Sequence, residues 1–227
     1  MIRKGGFVLT GLGVLLLAWV GVTAAWGDPF TSLYTRHEQQ ALARRLDEID
    51  RHWRAEAPRV PVVAHVDRAR QEVALLRARA VSFRSSLREG APIGRIVIPR
   101  LGLRMVVVQG TSHSDLEKGP GHYDAASGES TGLPGMGGVV AIAGHRTTYL
   151  HPFRHIDDLR SGDRIELQMP YGRFRYTVYF HRVVDDQDWS ILRRRPYEKL
   201  VLTACHPLYS ATHRWAVFAR LTSAVRS

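Results

Sequence analysis

Cys205 is the only cysteine in the chain, and it lies in Leu202-Thr203-Ala204-Cys205-His206-Pro207, with Arg214 nine residues further on. Upstream, an apolar run ends in Ala143-Gly144-His145-Arg146, which puts a histidine at the end of a buried strand. A thiol, an imidazole and a guanidinium supply a nucleophile, a proton-transfer group and an anion stabiliser. The thiolate attacks, histidine takes or supplies the proton, and arginine holds a developing oxyanion or favours the thiolate. With no second cysteine there is no intramolecular disulfide. A lone thiol in an exported chain is therefore either buried and inert or chemically employed.

Each of the three has an element to mount it. Cys205 follows the apolar Leu200-Val201-Leu202 at the point where turn residues begin, so its side chain is held rigidly yet exposed. Arg214 opens the next strand, and a hairpin brings it back towards Cys205. A zinc site made of His145, Cys205 and His206 is the binding-protein rival, but structural zinc takes four ligands, often paired cysteines. No acidic cluster suggests calcium. No metal or other cofactor is expected.

The wider chain reads in three parts: 1–27, 28–90 and 91–227. From Thr35 to Ala57 the pattern is helical, with Leu42, Leu46, Ile49 and Trp53 on one face, until Pro58 and Pro61 break it. A second run restarts at Val62 and continues through Val66, Ala69, Val73, Leu76, Ala80, Phe83 and Leu87, an alternating spacing of four and three that marks a narrow coiled seam. These two helices form a stalk, a dimerisation element or an amphipathic extension packed on its own domain. After Gly90-Ala91-Pro92 the pattern changes to short strands. They span Gly94–Pro99, Arg104–Gln109, Val139–Gly144, Arg164–Met169, Phe174–Val184, Lys199–Ala204 and Arg214–Leu221. Phe153–Leu159 reads as a short helix or turn, and Ser127–Gly138, with five glycines and one proline, as a loop. Many strands and little helix predict an all-β, closed or nearly closed barrel.

Phe7 to Trp26 carries no charge over 20 residues, and Arg3 and Lys4 precede it. That length spans a bilayer core, and the flanking charges keep the N-terminus cytoplasmic with the rest of the chain outside. The rival is a cleaved signal peptide ending near Thr23-Ala24-Ala25, against which stands the length of the apolar run. The net charge is +11, almost all from arginine, since Lys4, Lys118 and Lys199 are the only lysines. The arginines are scattered among acids, Arg193-Arg194-Arg195 being the one tight run. Outside a membrane, anionic wall polymers or lipid headgroups are nearer partners than nucleic acid, and composition alone is the plain alternative.

Taken together, Ala141-Ile142-Ala143-Gly144-His145-Arg146-Thr147-Thr148-Tyr149, Leu202-Thr203-Ala204-Cys205-His206-Pro207 and Arg214 resemble the active-site motifs of bacterial sortases, closest to class E of high-GC Gram-positive bacteria. Gln109-Gly110, Leu116-Glu117-Lys118-Gly119-Pro120-Gly121-His122-Tyr123, and Pro152-Phe153-Arg154-His155-Ile156-Asp157-Asp158-Leu159 with Gly162-Asp163 match in order. The resemblance covers about residues 92 to 223. It implies an eight-stranded sortase-type β-barrel and a transpeptidase. Cys205 would attack the Thr–Gly carbonyl of a C-terminal sorting signal, giving a thioester that an amine of a cell-wall peptide precursor then resolves. His145 would move the protons and Arg214 would hold the oxyanion. Thr203, Ala204, Trp215 and Tyr149 would line the substrate groove. The class E likeness implies a Leu-Ala-x-Thr-Gly (LAXTG) signal over the Leu-Pro-x-Thr-Gly (LPXTG) form. Here the family's Thr-Leu-x-Thr-Cys reads Val201-Leu202-Thr203-Ala204-Cys205, with both outer threonines replaced, and Trp215 interrupts the usual aliphatic run. A hydrolytic cysteine peptidase would use the same residues, though nothing here resembles a papain-like motif. A non-catalytic membrane-anchored interaction module is the remaining alternative.

Overall fold

The computed structural model describes residues 2–26, 29–56, 68–124 and 131–227. Helices α1 (Ile2–Trp26), α2 (Pro29–Ala55) and α3 (Arg68–Ser86) precede eight strands. These are β1 (Pro92–Ile98), β2 (Leu103–Gln109), β3 (Gly121–His122), β4 (Val139–Ala143), β5 (Arg164–Met169), β6 (Gly172–Asp185), β7 (Lys199–His206) and β8 (His213–Arg226). A one-turn helix α4 (His113–Leu116) follows β2. The strands close into a barrel in the order β1-β2-β3-β4-β7-β8-β6-β5. The expected eight-stranded barrel is therefore present. Its shortest strand, β3, is one that hydropathy patterning does not reveal. The short helix expected near Phe153–Leu159 is a 3-10 turn at Ile156–Asp158.

Burial follows what covers each strand. In β5 and the first half of β6, buried and exposed positions alternate, because one face packs inward and the other meets water. β4 is buried throughout, and so is β7 except at its last two residues. Their inward residues Val140, Ile142, Leu200, Leu202 and Ala204 join the barrel core. Their outward residues Val139, Ala141 and Val201 form a second cluster with Ala216, Phe218, Ile191 and Leu192. The segment between β6 and β7 thus roofs the outer face of the β4–β7–β8 sheet.

The helices pack on the barrel. Leu42 and Leu46 of α2 bury against Val106 and Val108, each worth about 2 kcal/mol of transfer free energy. The Gln39 amide extends β2 by accepting from the Val106 N–H at 2.7 Å and donating to the Val106 and Lys118 carbonyls at 3.0 and 2.7 Å. Leu76, Ala80 and Phe83 of α3 enter the barrel core, where Phe83 meets Trp53 and Tyr171 with ring centroids 5.4 and 5.6 Å apart. The heptad seam therefore meets the barrel: Leu76 is 2% exposed, whereas Val73 is 62% exposed. The expected break at Pro58 and Pro61 and the restart at Val62 lie outside the described residues. Along α1 the side chains of Phe7, Leu9, Leu12, Val14 to Leu17, Trp19 and Val20 are exposed. Among the described residues no helix is long and apolar enough to cross a membrane, the side chains of residues 2–5, Val8 and residues 22–26 within α1 being outside the description.

Candidate active site

β7 and β8 pair antiparallel in unbroken register from Lys199↔Arg220 to His206↔His213, which makes Cys205 and Arg214 direct cross-strand partners. Residues so paired carry side chains on the same face about 5 Å apart at Cβ. Alternation along β7 puts Cys205 on the outer face with Thr203 and Val201. The Arg214 guanidinium is tied through Nη1 to the carbonyls of Ala211 and His213, at 2.7 and 3.0 Å. Its Nε and Nη2 have no protein partner among the described residues, so two donor groups remain for a ligand. Cys205 is a free, half-buried thiol.

His145 arrives from the other side. β4 runs parallel to β7, with Ala143 level with Thr203, and the Gly144 N–H donates to the Thr203 carbonyl at 3.0 Å. His145 therefore leaves the sheet beside the end of β7 that carries Cys205. Gly144 is required by close approach: a Cβ there would lie 2.6 Å from Phe153 Cδ2. Burial holds the His145 imidazole below its usual pKa, with His113 adding to the effect and Glu117 opposing it, so the resting ring is neutral at physiological pH. Its Nε2 is buried without a hydrogen-bond partner among the described residues. The Tyr149 ring packs on it at 5.2 Å, and the Tyr149 hydroxyl donates to Glu117 Oε1 at 2.6 Å. Tyr149, Leu150 and His151 all have positive φ, at 51°, 60° and 35°, a left-handed run that costs on the order of 1 kcal/mol per residue.

Arg146 and Tyr123 belong to the site although no role for either is legible in the sequence. Arg146 is 3% exposed. It pairs with Asp157 Oδ2 at 2.8 Å and donates to the Arg154 carbonyl from Nε and Nη2, at 3.3 and 3.2 Å. Nη1 lies 3.5 Å from the Cys205 carbonyl and 3.3 Å from His206 Nδ1. One guanidinium thus links the segment after His145 to the backbone of Cys205. In a chain with 32 lysines and arginines, only burial marks it out. The Tyr123 hydroxyl meets Thr203 Oγ1 at 2.9 Å. Burial raises its phenol pKa, and the charges of Arg214 and Cys205 act on it in opposite directions, Arg214 lowering and Cys205 raising it.

Of the four expected groove residues, Thr203 and Tyr149 stand with the catalytic candidates. Ala204 and Trp215 do not share that face. Ala204 lies in the barrel core, and Trp215, its partner across the ladder, packs against the same core with its ring against His181 and His206, at 5.2 and 5.4 Å. A strand's adjacent residues point to opposite faces, so a residue next to Cys205 on β7 cannot line the wall that Cys205 faces.

A closed barrel sets the single thiol opposite an arginine, with a histidine delivered by the neighbouring parallel strand. The chain belongs to the sortase family, whose Sortase domain matches residues 96–222. Sortase D of Bacillus subtilis is 33% identical over 135 residues, which cover 58% of this chain and 64% of that protein, so the match spans less than two thirds of the relative. A solved sortase E from Streptomyces avermitilis is 32% identical, with a TM-score of 0.54 over 61% of this chain and 93% of the other. The Clostridium perfringens Sortase D5 transpeptidase shares the fold at 22% identity, with a TM-score of 0.61 over 82% of this chain and 99% of that one.

Proposed function

We propose that this chain is a membrane-anchored cysteine transpeptidase that cleaves a C-terminal sorting signal between Thr and Gly and transfers the acyl part to a cell-wall amine. The observation that carries the reading is the cross-strand pairing of Cys205 with Arg214, with His145 brought to the same strand end by the Gly144 to Thr203 hydrogen bond. His145 takes the Cys205 thiol proton as Sγ adds to the Thr carbonyl, and the oxyanion forms towards Nε and Nη2 of Arg214, which have no partner among the described residues. Collapse expels the Gly amine, which takes a proton from His145 and leaves a thioester. An incoming amine attacks the thioester, gives its proton back to His145 and restores the thiol. Tyr123 and Thr203 form the outer-face wall along which the signal lies.

The anchor is α1. Its 25 residues extend about 37 Å, longer than a bilayer core of about 30 Å. Its row of exposed apolar side chains is a surface that water does not favour. Arg3 and Lys4 then leave the N-terminus in the cytoplasm and the barrel outside. Protease added to intact protoplasts digests the barrel under this topology; digestion only after lysis contradicts it.

The activity is tested by incubating the full chain in detergent with Leu-Ala-x-Thr-Gly and Leu-Pro-x-Thr-Gly peptides, with and without an amine. The expected result is an amine-dependent exchange product, faster with the alanine peptide. Cleavage at an amine-independent rate, with water alone resolving the acyl-enzyme, assigns the protein to the hydrolytic cysteine peptidases instead. Equal or reversed peptide preference removes the class E substrate assignment only.

A further inference from the structure

Lys199 opens β7 on the same outer face as Cys205 but six residues away, which is about 20 Å along a strand. It is 3% exposed. Its ammonium donates to the Ile191 carbonyl at 2.7 Å and lies 5.6 Å from the centre of the Phe218 ring. Among the described residues no carboxylate pairs with it. The adjacent Glu198 turns inward, accepting from the Tyr176 hydroxyl at 2.6 Å and from the N–H groups of Gly135 and Gly137. The charges that Lys199 feels are those of Arg195 and Arg182, which together with burial, the larger cause, pull its pKa down to about 8.

A buried ammonium with one acceptor and like charges for neighbours is unfavourable on its own, and a counter-anion relieves it. The surroundings provide room for one. Lys199 lines a cavity of about 330 Å³ between β6, β8 and the segment leading into β7, together with Arg182, Arg193 and Arg195. Arg182 is engaged by Asp188 at 3.3 Å and Ser190 at 3.0 Å, whereas Arg193 and Arg195 have no ion pair among the described residues. Among the described residues no acidic side chain lines the cavity. Tyr179 and Phe180, 40% and 51% exposed, give it an apolar side.

We propose that this cavity is a binding site for the phosphate group of an anionic ester, held by Lys199, Arg193 and Arg195 with the organic part resting on Tyr179 and Phe180. Guanidinium forks and an ammonium converge there from different elements, the arrangement that recognises a doubly charged, multi-oxygen anion. Such a phosphate has two sources, a water-soluble ester or the headgroup of an anionic phospholipid. The proposal is independent of the transpeptidase reading, since none of these residues belongs to the Cys205 site.

The test is calorimetric titration of the full chain in non-ionic detergent at low salt with inorganic pyrophosphate. The expected result is saturable one-to-one binding that weakens at least tenfold in the exposed double variant Arg193→Ala/Arg195→Ala and in Lys199→Met. The double variant keeps the test valid should Lys199→Met fail to fold. Arg100→Ala/Arg104→Ala, which removes the same charge elsewhere, should bind like wild type. No saturable binding, or equal weakening in that control, overturns the site. Competition by glycerol 3-phosphate and by short-chain phosphatidic acid, both phosphomonoesters, separates the sources: equal or greater potency of glycerol 3-phosphate indicates the soluble ester, and tighter lipid binding the headgroup. Competition by neither overturns the proposal.

Discussion

The two halves of the site are built by different means. Cys205 and Arg214 sit on a ladder of eight consecutive pairs, so main-chain hydrogen bonds alone fix their relation. The half that carries His145 adjoins β3, a strand of two residues, and long loops. Beyond the β4–β7 ladder, the order there comes from side chains. His122 bonds Gln109, Thr131 and Gly132, Glu198 bonds Gly135 and Gly137, Arg146 joins Asp157 to the end of β7, and Tyr149 reaches Glu117. A ladder spreads its stability over many equivalent bonds, whereas a side-chain scaffold concentrates it in a few irreplaceable ones. Substitutions on the ladder half should therefore remove chemistry and leave the structure intact. Substitutions on the other half should move both.

The largest effects belong to the reacting groups. Cys205→Ala removes the only thiol and should abolish turnover. His145→Ala should lose about 10²–10⁴-fold through missing proton transfer. Arg214→Lys keeps the charge and loses the planar fork, for about 10²–10³-fold. Peptide-exchange rates measure all three. Urea denaturation should show Cys205→Ala and Arg214→Lys within about 1 kcal/mol of wild type. A large loss of stability in either would break the contrast between the halves.

Next comes Arg146→Lys. A lysine can keep the Asp157 pair but cannot also reach the Arg154 carbonyl, His206 and the Cys205 carbonyl. Stability should fall by about 2 kcal/mol, and kcat should fall by about tenfold with KM little changed. A stability loss with unchanged kcat would reduce Arg146 to a structural role.

His122 gives the scaffold half a pH dependence. Fully buried, its imidazole has a pKa lowered from 6.5 to about 4. Between those values the unfolded chain binds a proton that the native chain does not. The His122 contribution is thus complete above pH 6.5 and drains by about 3 kcal/mol as pH falls to 4. Glu198, whose carboxyl burial raises, works in the opposite sense above its ordinary pKa. The quantity to measure is accordingly the wild-type stability minus that of His122→Gln across this window; a flat difference contradicts the assignment.

The smallest effect tunes His145. Glu117 favours the imidazolium and His113 disfavours it. Glu117→Gln should lower the His145 titration midpoint seen by NMR and slow exchange at neutral pH by roughly two- to fivefold, and His113→Gln should move the midpoint up. Shifts in the reverse directions would show that these charges do not reach the ring.

How much of this was legible in the sequence follows the same division. The apolar runs of β4 and β7 and the positions of Cys205, His145 and Arg214 are readable, because a ladder leaves a pattern in hydropathy. β3 leaves none at two residues. Arg146 leaves none either, since an arginine in an arginine-rich chain is indistinguishable until its burial is known. Ala204 and Trp215 were expected at the groove from the family motif, whereas strict alternation from Cys205 assigns Ala204 to the opposite face. The seam through Leu76, Ala80 and Phe83 was legible as an apolar stripe, but a stripe does not name its partner, which is the barrel.

The central claim is that Cys205 carries the acyl group. Intact-protein mass spectrometry of the full chain with a Leu-Ala-x-Thr-Gly peptide and no amine tests it most directly. The account predicts a mass increase equal to the peptide through Thr, less water, localised to Cys205, absent from Cys205→Ala and discharged when an amine is added. Cleavage of the peptide by Cys205→Ala, or wild-type turnover through an adduct on any other residue, would contradict it.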